Sequence, residues 1–119
     1  MPKPSTPIVS SRSFFSVAAI AAALVACAGK QTPRDQITDP GEMIYNGHVV
    51  ADVACYKCHG GDGTGTWRGA NLVERVPKLS DAALVKVIEE GPGMMPAFKG
   101  KLDQQQLSQL TAWLRGRFH

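Results

Sequence analysis

The chain has 119 residues, enough for one small domain and not two. Its formal charge of +3 comes largely from the N-terminus: without Lys3 and Arg12, residues 27 to 119 carry 11 basic against 10 acidic side chains, a net of +1. A balance so near neutral gives no case for nucleic-acid binding.

The first segment reads as an export signal. A polar, basic start, MPKPSTPIVSSR, leads into the apolar run FFSVAAIAAALVA from Phe14 to Ala26. These 13 residues fall well short of the roughly 20 that a helix needs to cross a bilayer core. The short apolar run, basic flank and small residues at its end match a signal peptide over residues 1–26.

The run closes on LVAC, residues 24–27, which resembles the lipobox of bacterial lipoproteins. The resemblance implies that Cys27 is lipidated and becomes the mature N-terminus, anchoring the protein to a membrane on the periplasmic side. Ordinary cleavage around Ala26-Cys27-Ala28 is the competing reading. Ala28 lacks the aspartate that retains enteric lipoproteins at the inner membrane, which leaves the outer membrane open as the destination. Residues 27–38 then form a polar stretch without apolar period, expected to be a flexible tether.

The domain is expected over residues 39–119, all-α with about three main helices and long loops. The first helix opens at Thr38 or Asp39 with Pro40 at its first position, and carries Met43, Ile44 and Tyr45. The second begins at Ser80 and ends near Gly91, with Leu84, Val87 and Ile88 on one face. The third starts after Asp103 and carries Leu107, Leu110, Trp113, Leu114 and Phe118 as an amphipathic stripe, with Gln106 placed for a near capping box. A domain of about 80 residues is marginal on apolar burial alone, which is a physical reason to expect a bound cofactor.

Between the first two helices stands CYKCH, residues 55–59. On one helical turn, offsets of three and four bring Cys55, Cys58 and His59 to the same face. C-x-x-C-H is the signature of c-type haem attachment: two thiols form thioethers and the imidazole binds iron. A structural zinc site wants four ligands, commonly as two pairs, and no second CxxC or HxxxH is present. A disulfide between the two cysteines leaves His59 without a role. GGDGTG is no phosphate loop, because no Lys-Ser/Thr follows it. Downstream, GPGMMPAF at 91–98 offers a methionine, the usual partner of histidine on the iron of cytochromes c.

With these elements in place, the region 39–119 resembles class I cytochromes c. It supplies CYKCHG, GANL at 69–72, MPAF at 95–98 and AWL at 112–114 in the family's order. The resemblance implies one covalent haem c on Cys55 and Cys58, His59 as proximal ligand and Met95 as distal ligand, since the family's methionine directly precedes the proline. Met94 is the other candidate.

It also implies an electron carrier and no enzyme, exchanging single electrons with other redox proteins such as a respiratory oxidase or reductase. A catalytic or gas-binding haem protein and a fixed subunit of a larger complex are the alternatives. Two departures stand out. Ala70 occupies the place of the family's proline, whose carbonyl faces the proximal imidazole. Gly41 and Tyr45 have the family's glycine-to-aromatic spacing but lie far from Cys55, so an insertion is expected between helix and haem motif; Gly47 with Val50 or Ala51 is the other solution.

Four lysines, Lys57, Lys86, Lys99 and Lys101, are candidates for steering an acidic partner, although a solvated surface explains them as well. Trp67 and Arg68 stand near enough to the motif to approach a haem propionate or to form an exposed loop pair. His48 is read as a surface or helix histidine, with a bis-histidine iron as the sharper reading, and His119 as solvated.

Overall fold

The computed structural model describes residues 30–119. Five α-helices follow in order: α1 (Pro40–Tyr45), α2 (Tyr56–His59), α3 (Leu72–Arg75), α4 (Asp81–Glu90) and α5 (Gln104–Arg117). Short 3₁₀ turns stand at Arg34–Gln36 and Val76–Lys78. Among the described residues there is no strand, only the isolated bridges Thr66–Gly69 and Lys99–Leu102. The fold is the expected all-α one.

Local chemistry sets the ends of the longer helices. Asp39 accepts from the backbone N–H groups of Gly41 and Glu42 and so caps α1, satisfying donors that have no partner inside the helix. Ser80 caps α4 through the Ala83 N–H. Asp103 and Gln106 form a full capping box on α5, each side chain accepting from the other's backbone N–H. The first helix does not continue to the haem motif. It stops at Asn46, and Gly47 takes φ +74°, a left-handed turn.

α1 crosses α5 at Gly41. A Cβ there would lie inside 3.0 Å of the Gln109 carbonyl oxygen and the Trp113 Cβ, so only glycine permits this approach. Tyr45 stacks obliquely on Trp113, centroids 4.9 Å apart, and Phe118 meets the same indole edge-on at 5.9 Å. Gly41 and Tyr45 are thus the pair that faces the last helix, and residues 46–54 form the extra connection between α1 and the haem motif.

The core joins Ile44 and Tyr45 of α1, Leu84 and Ile88 of α4, and Leu107, Leu110 and Leu114 of α5, with Val53, Val76, Phe98, Leu102 and Phe118 from the connections. Arg115 ties the wall below α4 to α5. Its guanidinium donates to Asp81 Oδ1 at 2.7 Å, to the Val76 carbonyl at 2.5 Å and to the Leu79 carbonyl. The planar fork suits this, since it reaches a carboxylate and two carbonyls at once.

One difference from the sequence reading concerns residues 31–37. A polar composition suggested a free tether, yet Ile37 is only 4 % exposed and Gln31 and Thr32 hydrogen-bond to Asn46. The reason is that polar residues can dock through backbone and amide hydrogen bonds without any apolar period. The signal segment and Cys27 lie outside the described residues.

Candidate functional site

The side chains singled out from the sequence meet around one cavity of about 830 Å³, within the roughly 300–1,000 Å³ range of cofactor pockets. Cys55, Cys58 and His59 line one side, at the N-terminus and along the single turn of α2. Met94 and Met95 line it from the loop after α4. Apolar walls come from Val53, Leu72, Val76, Leu84, Ile88, Phe98, Leu110 and Leu114.

His59 is oriented by backbone. Its Nδ1 stands 2.8 Å from the Ala70 carbonyl oxygen; as Nδ1–H it donates there, which leaves the Nε2 lone pair for a metal. The carbonyl is brought close by Gly69, where a Cβ would fall inside 3.0 Å of the Cys58 carbonyl. The same segment is drawn in by Thr66, whose hydroxyl donates to the Cys58 carbonyl at 2.6 Å and whose N–H donates to Gly69 O at 3.0 Å. Alanine therefore presents its carbonyl as the family's proline does.

Cys55 and Cys58 carry free thiols and are not bonded to each other. Burial pushes the Cys55 thiol up to about 12, so as a thiol it would stay protonated at neutral pH. A neutral sulfur in an apolar wall suits a thioether and not a reactive thiolate. Among the described residues, no three His, Cys, Asp or Glu side chains converge as metal ligands, so the four-ligand zinc arrangement is not formed here.

The two methionines of the loop after α4 differ. Met95 is half-buried and packs against the core cluster, whereas Met94 is 69 % exposed. The loop is short because Gly91 ends α4 with φ +61° and Phe98 N–H donates back to the Ile88 carbonyl at 3.1 Å. A Cβ on Gly91 would run into the backbone of Met95, Pro96 and Ala97.

The charged residues separate into two sets. Lys57, Arg68, Arg75 and Lys78 line the cavity, with Asp52 as the acid among them. Arg75 and Lys78 escaped the sequence reading, which placed no element between GANL and the helix that opens at Ser80. Arg68 also lies over the Trp67 ring, 4.6 Å from its centroid, so the loop pair and the approach to the cavity coexist. Lys86 pairs with Glu90 at 4.0 Å on the surface of α4, and Lys99 and Lys101 are exposed. His48 does not line the cavity; its Nε2 stands 2.8 Å from the Thr32 carbonyl. His119 Nδ1 stands 3.2 Å from the Gly116 carbonyl.

The cavity thus fits a flat, largely apolar group with peripheral negative charge and a metal at its centre. The donor set on the page is two cysteine sulfurs for attachment, one imidazole nitrogen and one thioether. No helix among the described residues is long and apolar enough to cross a membrane.

Comparison with known proteins agrees with this donor set. Residues 37–114 match the family model described as cytochrome C oxidase, cbb3-type, subunit III. Cytochrome c6 of Thermosynechococcus vestitus is 30 % identical over 105 residues, covering 85 % of this chain and 88 % of that protein. Cytochrome c-555 of Methylococcus capsulatus is 29 % identical over 103 residues, covering 86 % and 80 %. The chain belongs to the monohaem class I cytochromes c, electron carriers and not enzymes, with one covalently bound haem c.

Proposed function

We propose that this chain is an exported, lipid-anchored cytochrome that passes single electrons between membrane-associated redox partners. In this reading Cys55 and Cys58 would hold the haem by thioethers, and His59 and Met95 would bind its iron. Haem supplies an iron that cycles between ferric and ferrous states. The observation that carries the reading is the His59–Ala70 hydrogen bond of 2.8 Å, which leaves an imidazole nitrogen free toward a cavity lined also by Cys55, Cys58 and Met95.

The residues of this chain divide the work. The Ala70 carbonyl fixes the tautomer of His59 and strengthens it as a donor. Met95 brings a neutral thioether, which favours the reduced iron and raises the potential. The apolar walls exclude water, and Lys57, Arg68, Arg75 and Lys78 would offset the charge of the propionates of a bound haem. Export and the anchor at Cys27 rest on the LVAC pattern and the short apolar run before it. The electron partners are then proteins of the same membrane.

A second reading is a fixed cytochrome subunit of a larger oxidoreductase, favoured by the description of the matching family, an oxidase subunit. Co-purification with other chains in mild detergent supports that reading, and release as a single haem protein supports the free carrier.

The axial assignment is tested by substituting each methionine alone and recording the far-red charge-transfer band of the ferric protein. Met95→Ala is expected to abolish the band, lower the potential and open the iron to carbon monoxide. Met94→Ala is expected to retain the band. Its survival in Met95→Ala overturns the assignment, and rapid carbon monoxide binding by the unsubstituted protein points to a catalytic or gas-binding haem.

A further inference from the structure

Residues 30–37 form a strap on the domain. Gln31 Nε2 donates to the Asn46 carbonyl at 2.6 Å, Thr32 N–H donates to Asn46 Oδ1 at 3.0 Å, and His48 Nε2 meets the Thr32 carbonyl at 2.8 Å. Asn46 is 2 % exposed and its amide also donates to Glu42 O at 3.0 Å. The strap therefore supplies partners to both the side chain and the backbone carbonyl of a buried asparagine. Ahead of it, the Lys30 backbone lies against Gly61, where any Cβ would fall inside 3.0 Å of the Lys30 carbonyl oxygen. Lys30, Gly61, Asp62 and Arg117 line one cleft.

The strap changes the geometry of anchoring. A free tether over residues 27–38 would let the domain roam about 40 Å from its lipid, at 3.3–3.6 Å per residue. With Lys30 seated on Gly61, the distance from Cys27 is at most roughly 11 Å, whatever the conformation of the residues between. Arg117 stands at the C-terminal end of α5, a helix of 14 residues and about 20 Å in length. The methionine loop joins the other end, through Lys99–Leu102 and the Asp103 cap. The charged residues lining the cleft are two exposed cations, Lys30 and Arg117, and one acid, Asp62, an excess of positive charge that favours anionic headgroups.

We propose that the strap holds the domain on the bilayer in one orientation, with the Lys30–Gly61–Arg117 end of α5 against anionic lipid and the methionine-loop end toward the aqueous phase. The inference rests on the lipid anchor at Cys27. It follows that an electron partner reaches the exposed Met94 side without displacing the anchor.

The test uses the lipidated holoprotein in phosphatidylglycerol-containing vesicles with a fraction of nickel-chelating lipid. With Cys27 acylated and Cys55 and Cys58 in thioethers, an introduced cysteine is the one free thiol for a nitroxide. Gly116→Cys places it at the strap end of α5, where a side chain meets nothing within 4 Å; Lys101→Cys places it at the other end. Nickel-induced relaxation, taken as the difference with and without nickel in the ferric protein, is expected to be several-fold stronger at position 116. Adding Gly61→Ala, His48→Ala, Gln31→Ala and Asn46→Ala together, which unseat Lys30 and remove the side-chain bonds of Gln31 and Thr32, is expected to bring the two positions level while the haem spectrum stays unchanged. Equal relaxation in the strapped protein overturns the orientation while leaving the anchor standing, and a contrast that survives strap release overturns the role of the strap. An unmodified Cys27 by intact mass overturns both anchor and orientation.

Discussion

The two sides of the cavity are held by different means. Around His59 the backbone is tied to itself: Gly65 N–H donates to His59 O at 2.8 Å, Leu72 N–H to Gly63 O at 2.7 Å, and Tyr45 OH to Gly60 O at 2.6 Å. Around Met95 the loop has one turn bond, Met95 N–H to Pro92 O at 3.2 Å, and is pinned only at its exit, where Phe98 and Lys99 donate back to α4. Pro92, Gly93, Met94, Pro96 and Ala97 are all exposed. The histidine is positioned by a network and the methionine by the shortness of its loop. Local opening starts where solvent-exposed backbone is fixed by few bonds, so the methionine side is the one expected to open first.

The largest effect is expected from Gly91→Ala. Alanine at φ +61° costs about 1–2 kcal/mol in backbone strain, and its Cβ collides with the backbone of the methionine loop. The charge-transfer band is expected to disappear at a lower denaturant concentration than helical circular dichroism, widening the gap between the two transitions. If band and helix content vanish together, the distal side is not a separate opening unit and the contrast fails.

Tyr45→Phe tests the opposite side. Tyr45 is fully buried, and its hydroxyl is the short donor to Gly60 O, which otherwise keeps only a longer 3.3 Å bond from Gly63. Losing it is expected to cost about 1 kcal/mol, as a shift of the global transition with the band surviving to that point. A pH dependence goes with it. Burial raises the phenol above its ordinary range, with the Asp62 charge adding to the shift. A raised folded pKa means that this contribution is full below the unfolded value of about 10 and declines as pH rises above it. The unsubstituted protein is expected to lose more stability between pH 9 and 11 than Tyr45→Phe does, read from urea midpoints; equal losses remove the phenol from the account.

How far the sequence carries this contrast depends on the kind of bond involved. Elements fixed by local side chains were legible: Asp39, Ser80 and Asp103 as caps, Gly91 as the stop of α4, and the α5 stripe. The meeting of Cys55, Cys58, His59 and Met95 at one cavity follows from motif spacing together with family order. Contacts of side chains with distant backbone groups were not legible, because any residue can offer a carbonyl or an N–H. The docking of residues 31–37 on Asn46, the grip of Arg115 on Val76 and Leu79, and the Tyr45–Gly60 bond have no pattern in composition or period. α3 was missed for a related reason. Its four residues are too few for periodicity, and the Asn71 cap that starts it lies inside a segment dominated by glycine.

The smallest effect, and the finest probe of the proximal side, is Ala70→Pro. If the carbonyl that meets His59 is fixed by its surroundings, a residue that removes chain freedom at that position changes little in the folded state. Among the described residues the Ala70 N–H donates to no backbone carbonyl, so proline takes away no hydrogen bond of that kind. The remaining effect is on the unfolded chain, whose lost freedom raises stability by about 0.4–1 kcal/mol where the backbone is compatible. The expected outcome is a slightly higher urea midpoint with potential and charge-transfer band unchanged. A lower midpoint, or a shifted potential, would mean that alanine holds a backbone geometry proline cannot adopt. The proximal histidine would then be oriented by a softer segment than the bonds from Thr66, Gly65 and Leu72 imply.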